Sequence, residues 1–372
     1  MQTVDDPQTW FSPSYASSRE RLIAAARTAA LPVHHDVLSI GQKGPEGQAL
    51  TIDMLTVGAR RPSRAFVVAS GTHGVEGFCG AAIQLQLASE RLAGLMLADD
   101  SALILLHALN PYGFAWLRRV NESNVDLNRN FQQLFNPDLC SAEYESLFEC
   151  LNPADLDPEP EARRRQTLKD WATQHGERSL QRVIAEGQYR HPRGIQFGGH
   201  RPEASTRLLL DWVGQTLVDA RWVAWLDVHT GLGESGACQL LTGASPTSAG
   251  YLEARRIWGE SVTSVQSEAS VSPPLHGLLE QGVSRALPQG CVFAYAAPEF
   301  GTHPTDRVVA AFRADNWLHH YGNPADALGQ VIKAEMLEAF RPAGRAWANA
   351  ITRTGQLLCE QGLRALGQSQ AR

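Results

Sequence analysis

The sequence predicts an α/β protein, a three-layer αβα sandwich with a mixed central sheet, and three observations carry that reading. Four apolar runs of strand length, residues 64–69, 102–109, 222–228 and 292–297, read as strands buried on both faces. Segments of helical composition fall between them, so strands and helices alternate along the chain. Residues 37–40 and 50–57 instead alternate polar and apolar side chains, which suits an antiparallel edge pair and makes the sheet mixed.

In chain order, residues 18–30 open with a serine and continue in helix formers, the pattern of a capped first helix. The edge pair follows, then the strand 64–69 and a helix over 78–90. The strand 102–109 stops at Asn110-Pro111-Tyr112-Gly113, strong turn punctuation. Residues 132–196 are polar, charged and proline-marked; with a helix over 160–185 they read as a helical insertion in one domain spanning 1–372. Beyond it come a helix over 206–220, the strand 222–228, a short strand at 239–241, a helix over 251–260 and the strand 292–297. Three helices, over 306–321, 324–340 and 343–366, finish the chain.

Composition narrows the function. A net charge of -6 and a pI near 6.1, with no dense Lys/Arg run, argue against nucleic acid as a partner. No 18-residue apolar span is present, so no membrane helix is expected. The polar N-terminal stretch and six scattered cysteines without C-x-x-C spacing suggest reduced thiols and a cytoplasmic location. There is no P-loop and no G-x-G-x-x-G after the first buried strand, which removes the nucleotide-binding reading. Self-association into a homo-oligomer stays open.

The chemistry concentrates where apolar runs give way to glycine. His73 and Glu76, three residues apart after the strand 64–69, sit where open α/β sheets hold ligands. A histidine and a carboxylate so placed can share one zinc ion, although such a pair also occurs as a plain loop. His229, at the end of the strand 222–228, can join them, and Asp227 can accept its second ring N–H; the competing reading is a buried histidine bonded to backbone. Arg118, Arg119, Asn128 and Arg129 follow the turn at 110–113. They suit an anion or oxyanion clamp, with Arg118 the one that also reads as an ordinary surface charge. Glu299 emerges directly from the strand 292–297, where a carboxylate without a partner is costly; it is either a general base beside activated water or a salt-bridged strand end. His200, His303 and Cys79 read mainly as structural.

Together these motifs resemble the zinc carboxypeptidase superfamily, which includes the aspartoacylase and succinylglutamate desuccinylase branch, and within it the DUF2817 group. The phrases SGTHGVEGFCG, NPYGFAWLRRVNESNVDLNRNF, GQYRHPRGIQFGGHRPEAS, LDVHTGLG, PEFGT and FRADNWLHHYG occur in that order between residues 60 and 322. The resemblance implies a zinc-carboxypeptidase-like fold and one zinc per chain on His73, Glu76 and His229. It implies Arg119 as oxyanion stabiliser, Asn128 and Arg129 as the grip on a substrate carboxylate, and Glu299 as general base. The superfamily's capping tyrosine has no counterpart in residues 261–290, which contain no tyrosine, and the Arg-Ala-Asp at 313–315 looks like the acylase branch.

The implied function is zinc-dependent hydrolysis of an amide next to a free carboxylate, on a short peptide. The alternatives are an N-acyl amino acid substrate, making the chain a deacylase, and a metal-binding module without catalysis. Intact Glu299 and Arg119 count against the last.

Overall fold

A computed structural model describes residues 6–265 and 275–368. Its strands are β1 (Val33–Lys43), β2 (Ala49–Gly58), β3 (Arg64–Ala69), β4 (Ser101–His107), β5 (Trp222–Asp227), β6 (His229–Gly231), β7 (Cys238–Thr242), β8 (Val262–Ser264) and β9 (Val292–Gly301). They form one mixed sheet in the order β1-β2-β4-β3-β5-β9-β7-β8, with β6 paired to β9. The centre, β4-β3-β5-β9, is parallel, while β1-β2, β2-β4 and β7-β9 are antiparallel. The chain leaves β3 for β4 on one side and returns as β5 on the other. The carboxyl ends of β3 and β5 therefore flank a reversal of strand order, the usual crevice for ligands.

The helices are α1 (Tyr15–Ala26), α2 (Gly77–Arg91), α3 (Pro111–Ala115), α4 (Ala142–Leu151), α5 (Pro158–His175), α6 (Glu177–Ala185), α7 (Ala204–Thr216), α8 (Ala249–Trp258), α9 (Leu279–Ala286), α10 (Thr305–Tyr321), α11 (Ala327–Phe340) and α12 (Arg345–Gln368). Along β3, Phe66 and Val68 face a core shared with α2, α8 and α12. Ala65, Val67 and Ala69 face a second core shared with α3, α7 and α9. Successive side chains of a strand point to opposite faces, so a strand apolar at every position needs a layer on each side. Three layers follow. Where α12 crosses the sheet it places Gly362 on the Phe66 ring, too close for any Cβ; Phe66→Ala would open a cavity there at about 3–5 kcal/mol.

Residues 142–185 fold as α4, α5 and α6, whose apolar faces share a third core with α10 and α11, including Tyr144, Leu147, Leu168, Val183, Phe312 and Phe340. Three boundaries differ from the sequence expectation. The helix expected over 160–185 is broken by Gly176, whose φ of +94° suits glycine. The pair of edge strands reduces to one, because β4 occupies the second side of β2. The strand expected to stop at residue 297 continues to Gly301 because β6 and β7 both pair with its end.

Candidate active site

His73 and Glu76 occupy the short turn between β3 and α2. The turn is tight: Gly74 lies against Gly113 with no room for a Cβ, and Glu76 is the residue from which α2 starts. His229 opens β6 two residues after β5 ends, and β6 pairs with β9 so that His229 lies opposite Glu299. Two chain segments thus deliver three buried side chains to one point. His73 Nδ1 is 2.9 Å from Glu76 Oε1, His229 Nδ1 is 3.1 Å from Glu76 Oε2, and the two Nδ1 atoms are 3.2 Å apart.

The outer ring nitrogens meet carboxylates. His229 Nε2 is 2.9 Å from Asp227 Oδ2, and His73 Nε2 is 3.1 Å from Asp126 Oδ1. Asp227 is itself oriented by the Thr72 hydroxyl (2.8 Å) and the Tyr295 hydroxyl (2.9 Å). Imidazoles backed by carboxylates in this way present their other nitrogen as a ligand. Ligand atoms around a tetrahedral zinc at about 2.0–2.2 Å lie roughly 3.3–3.6 Å from each other, so the observed spacing needs only slight expansion.

Charge points the same way. Three carboxylates, Glu76, Asp126 and Asp227, contact the two imidazoles, and one guanidinium, Arg119, contacts this group. With neutral imidazoles two negative charges are left over, which a divalent cation would balance. Without a cation, burial opposes a charged His229, yet Asp227 and Glu76 outweigh it and hold the imidazole well above its usual range, so a proton there would have to leave as a metal binds. Burial likewise raises Glu76, but His73 and His229 hold it far below the usual carboxylate range. The donor set, two nitrogens and one carboxylate with no thiolate, fits zinc.

Arg119 reaches this cluster from the loop after α3. Its Nη1 donates to Asp126 Oδ2 (2.6 Å) and to Gln196 Oε1 (2.9 Å). Its Nε is 3.6 Å from Glu76, and Nη2 is 2.9 Å from His73 Nε2. Burial works to lower its pKa, but Asp126 and Glu76 raise it on balance. Asp126 is raised by burial and driven well below the usual range by Arg119 and His73. It therefore ties the oxyanion candidate to a ligand candidate. Gln196 sits at φ +58°, an uncommon conformation for a residue with a Cβ, and such positions cluster at functional sites.

Asn128 and Arg129 border the same cavity of about 480 Å³ as His73, Glu76, Arg119, His229 and Glu299. Arg129 Nη1 donates to the Asn128 carbonyl (2.8 Å) and Nη2 to the Ala185 carbonyl (2.7 Å). Its buried Nε has no hydrogen-bond partner among the described residues. The Asn128 amide oxygen accepts from Leu279 N–H (2.9 Å). Glu299 is partly exposed to the cavity, and Oε1 accepts from Leu232 N–H at 3.0 Å. Burial and then the charge of Glu76 push its carboxyl up to about 7, against the lowering by His229.

Other sequence candidates fall elsewhere. His200 contacts the Tyr189 carbonyl (3.0 Å). His303 borders the cavity but pairs with Glu338 (3.1 Å). Cys79 packs in the core of α2, where burial drives its thiol well up. Arg118, which also reads as a surface charge, is 2% exposed and bonds Asp315 (3.0 Å) and Asn124 (2.9 Å). Adjacent side chains of this loop point to opposite sides, and only Arg119 turns to the cavity. Asp126, Gln196 and Glu280 are site residues that the sequence reading does not single out. The first two lie inside its quoted phrases, but nothing in spacing alone marks them.

The family described as "Protein of unknown function (DUF2817)" matches residues 11–354. No curated protein matches the chain. Among solved structures, carboxypeptidase A from Helicoverpa armigera is 13% identical, with 89% of this chain and 74% of that one covered at a TM-score of 0.43. Bovine thrombin-activatable fibrinolysis inhibitor, solved with tick carboxypeptidase inhibitor, is 12% identical, with 92% and 98% covered at 0.45. A succinylglutamate desuccinylase from Silicibacter sp. TM1040 is 15% identical, with 78% and 67% covered at 0.39.

Proposed function

The chain belongs to the DUF2817 family, and from the geometry of its cavity we propose that it is a zinc-dependent hydrolase that cleaves an amide bond next to a free carboxylate. The observation that carries this reading is the convergence of His73 Nδ1, Glu76 and His229 Nδ1 within 4.8 Å of one another, in a cavity that also holds Arg119, Arg129 and Glu299. A zinc ion held by these three residues would polarise a carbonyl and make water a nucleophile near neutral pH.

The remaining roles belong to the chain's own side chains. Glu299, with a proton affinity near neutrality, takes a proton from the attacking water and returns it to the departing amine. Arg119 faces the position where negative charge develops on the carbonyl oxygen, and a preoriented guanidinium needs no reorganisation to meet it. Its bond to Asp126 keeps it there between turnovers. Among the described residues Arg129 is buried, hydrogen-bonds only carbonyls and feels Asp126 as a charge without pairing to it directly, so a substrate carboxylate supplies a direct ionic partner.

Whether the amide is a peptide or an N-acyl bond turns on the acyl side. Tyr295 is the one tyrosine among the described residues that border the cavity, and its hydroxyl is committed to Asp227. That favours the deacylase variant over a carboxypeptidase capped by a mobile tyrosine. The test is a metal assay of the purified chain, followed by a screen of dipeptides and N-acyl amino acids against the zinc-loaded protein. Turnover of neither class, with zinc bound in equal amount to chain, would leave only the metal-binding module.

A further inference from the structure

Glu280 is a cavity carboxylate that none of these roles uses. It lies in the first turn of α9, 6% exposed, on the wall of the same cavity. The Thr242 hydroxyl donates to Oε1 (2.7 Å) and Gly243 N–H donates to Oε2. Both donors come from the end of β7, and each oxygen keeps acceptor capacity beyond them. No Lys, Arg or His pairs with it among the described residues, and residues 266–274 contain none of these types. Burial pushes its carboxyl up to about 7, and only the hydrogen bonds from Thr242 and the adjoining backbone lower it. A buried carboxylate with neutral donors but no cation is incomplete in the same sense as a buried guanidinium without an anion.

The two incomplete groups are joined. Asn128, the neighbour of Arg129, accepts its hydrogen bond from Leu279 N–H, the residue immediately before Glu280. Leu241, Val265 and Leu278 border the cavity with it, and aliphatic walls suit the methylene stem of a long cationic side chain. Resting on the carboxylate recognition argued above, we propose that Glu280 receives the ammonium or guanidinium side chain of the residue whose carboxylate Arg129 holds. The substrate class is then a peptidyl or N-acyl derivative of a basic amino acid.

Binding tests this without turnover. Nα-acetyl-L-lysine, Nα-acetyl-L-norleucine and Nα-acetyl-L-lysinamide are titrated by calorimetry into the zinc-loaded full chain carrying Glu299→Gln. The first two differ chiefly by the terminal ammonium. Lysine is expected to bind about tenfold or more tighter than norleucine, and adding Glu280→Gln is expected to bring the ratio close to one. A ratio near one before that substitution overturns the assignment, and this arm needs no change at Glu280. A lysine preference that survives Glu280→Gln overturns it too. Acetyl-norleucine bound without a lysine preference leaves carboxylate recognition standing and removes only Glu280. Acetyl-lysinamide bound as tightly as acetyl-lysine removes both.

Discussion

The Nδ1 atoms of His73 and His229 face each other at 3.2 Å, although 156 residues separate the two histidines in the chain. The contact is a consequence of topology. β3 and β5 are parallel neighbours in register from Arg64 opposite Trp222 to Ala69 opposite Asp227, so the turns that follow them open at the same height. With Glu76 between them, the arrangement predicts that His73→Ala and His229→Ala each abolish stoichiometric zinc binding, as measured by elemental analysis after gel filtration. Zinc at a hundredfold excess over its Kd should stabilise the wild-type chain by about 2.7 kcal/mol, and a chelator should reverse that gain in a thermal melt.

Asp126 is predicted to act on two residues at once. It backs His73 and anchors Arg119. Outer carboxylates of this kind typically contribute about 10–100-fold to metal affinity. Asp126→Asn should therefore weaken zinc affinity by that order, read by competition with a chromogenic chelator. It should also lower kcat on any substrate found, because Arg119 loses its fixed position. Unchanged affinity would reduce Asp126 to a loop residue.

The parts of this site differ in how visible they are before folding. His73 and Glu76 adjoin glycines after the apolar run 64–69, and His229 follows the apolar run 222–228 two residues before Gly231, so local pattern marks them. Glu299 is marked by its position after apolar residues, although β9 extends past it because of pairing by β6 and β7 that no local pattern reveals. Asp126 and Gln196 become site residues only when the loop at 119–130 meets the loop at 194–200, where Asp126 N–H bonds the Phe197 carbonyl and Arg119 bonds Gln196. Glu280 depends on α9 docking against the end of β7, a contact between separated segments. Arg118 and Arg119 are equivalent in composition, and only the backbone path decides which is buried in a salt bridge and which faces the cavity. For the fold, apolar continuity exposes the doubly covered strands, whereas the break at Gly176 depends on a backbone conformation that one glycine among many does not announce.

Arg118 gives a stability prediction with a defined pH sense. Its partner Asp315 is fully buried and also bonded by Lys333 (2.6 Å). Burial raises the Asp315 carboxyl, but Arg118 and Lys333 outweigh it and hold it below its ordinary value. A carboxylate depressed in the folded state contributes stability that is present above its unfolded pKa, about 3.9, and lost as pH falls through the folded value. Arg118→Ala removes one of the two cations on Asp315 and leaves Lys333, so the cost at pH 7 should be about 1–3 kcal/mol, below the roughly 3–5 kcal/mol of a buried charge left with no partner. The deficit, followed by urea titration, should shrink in acid as Asp315 is protonated in both proteins. A loss below about 0.5 kcal/mol at pH 7, the range of surface substitutions, would contradict the burial of this pair.

Glu299→Gln should retain zinc and fold while losing most turnover. A general base typically contributes about 10²–10⁴-fold, or roughly 3–5 kcal/mol of barrier. Metal content and melting temperature matched to wild type, with kcat reduced on that scale, is the expected outcome. Near-normal turnover would return Glu299 to a strand-end residue held by Leu232 N–H.

The two cavity arginines should fail in different ways. Among the described residues Arg129 hydrogen-bonds only carbonyls and leaves Nε without a partner, as a group awaiting an anion would. Its contact with a substrate carboxylate exists in the bound ground state and persists through reaction, so Arg129→Ala should chiefly raise KM. A substrate whose carboxylate is blocked as an amide never makes that contact and should be affected little. Arg119 lies against His73 and Glu76, where charge builds only as the carbonyl is attacked. Arg119→Ala should therefore lower kcat for free and blocked substrates alike. Because Asp126 would lose its guanidinium partner in that variant, zinc content has to be measured beside the rate, and a rate loss at full zinc occupancy is the informative result. The decisive comparison is kinetic, two substrates against two variants. Equal hydrolysis of free and blocked substrate by the wild-type chain would remove carboxylate recognition, leave Arg129 as a brace between Asn128 and α6, and reduce the function to a zinc amidohydrolase without that specificity.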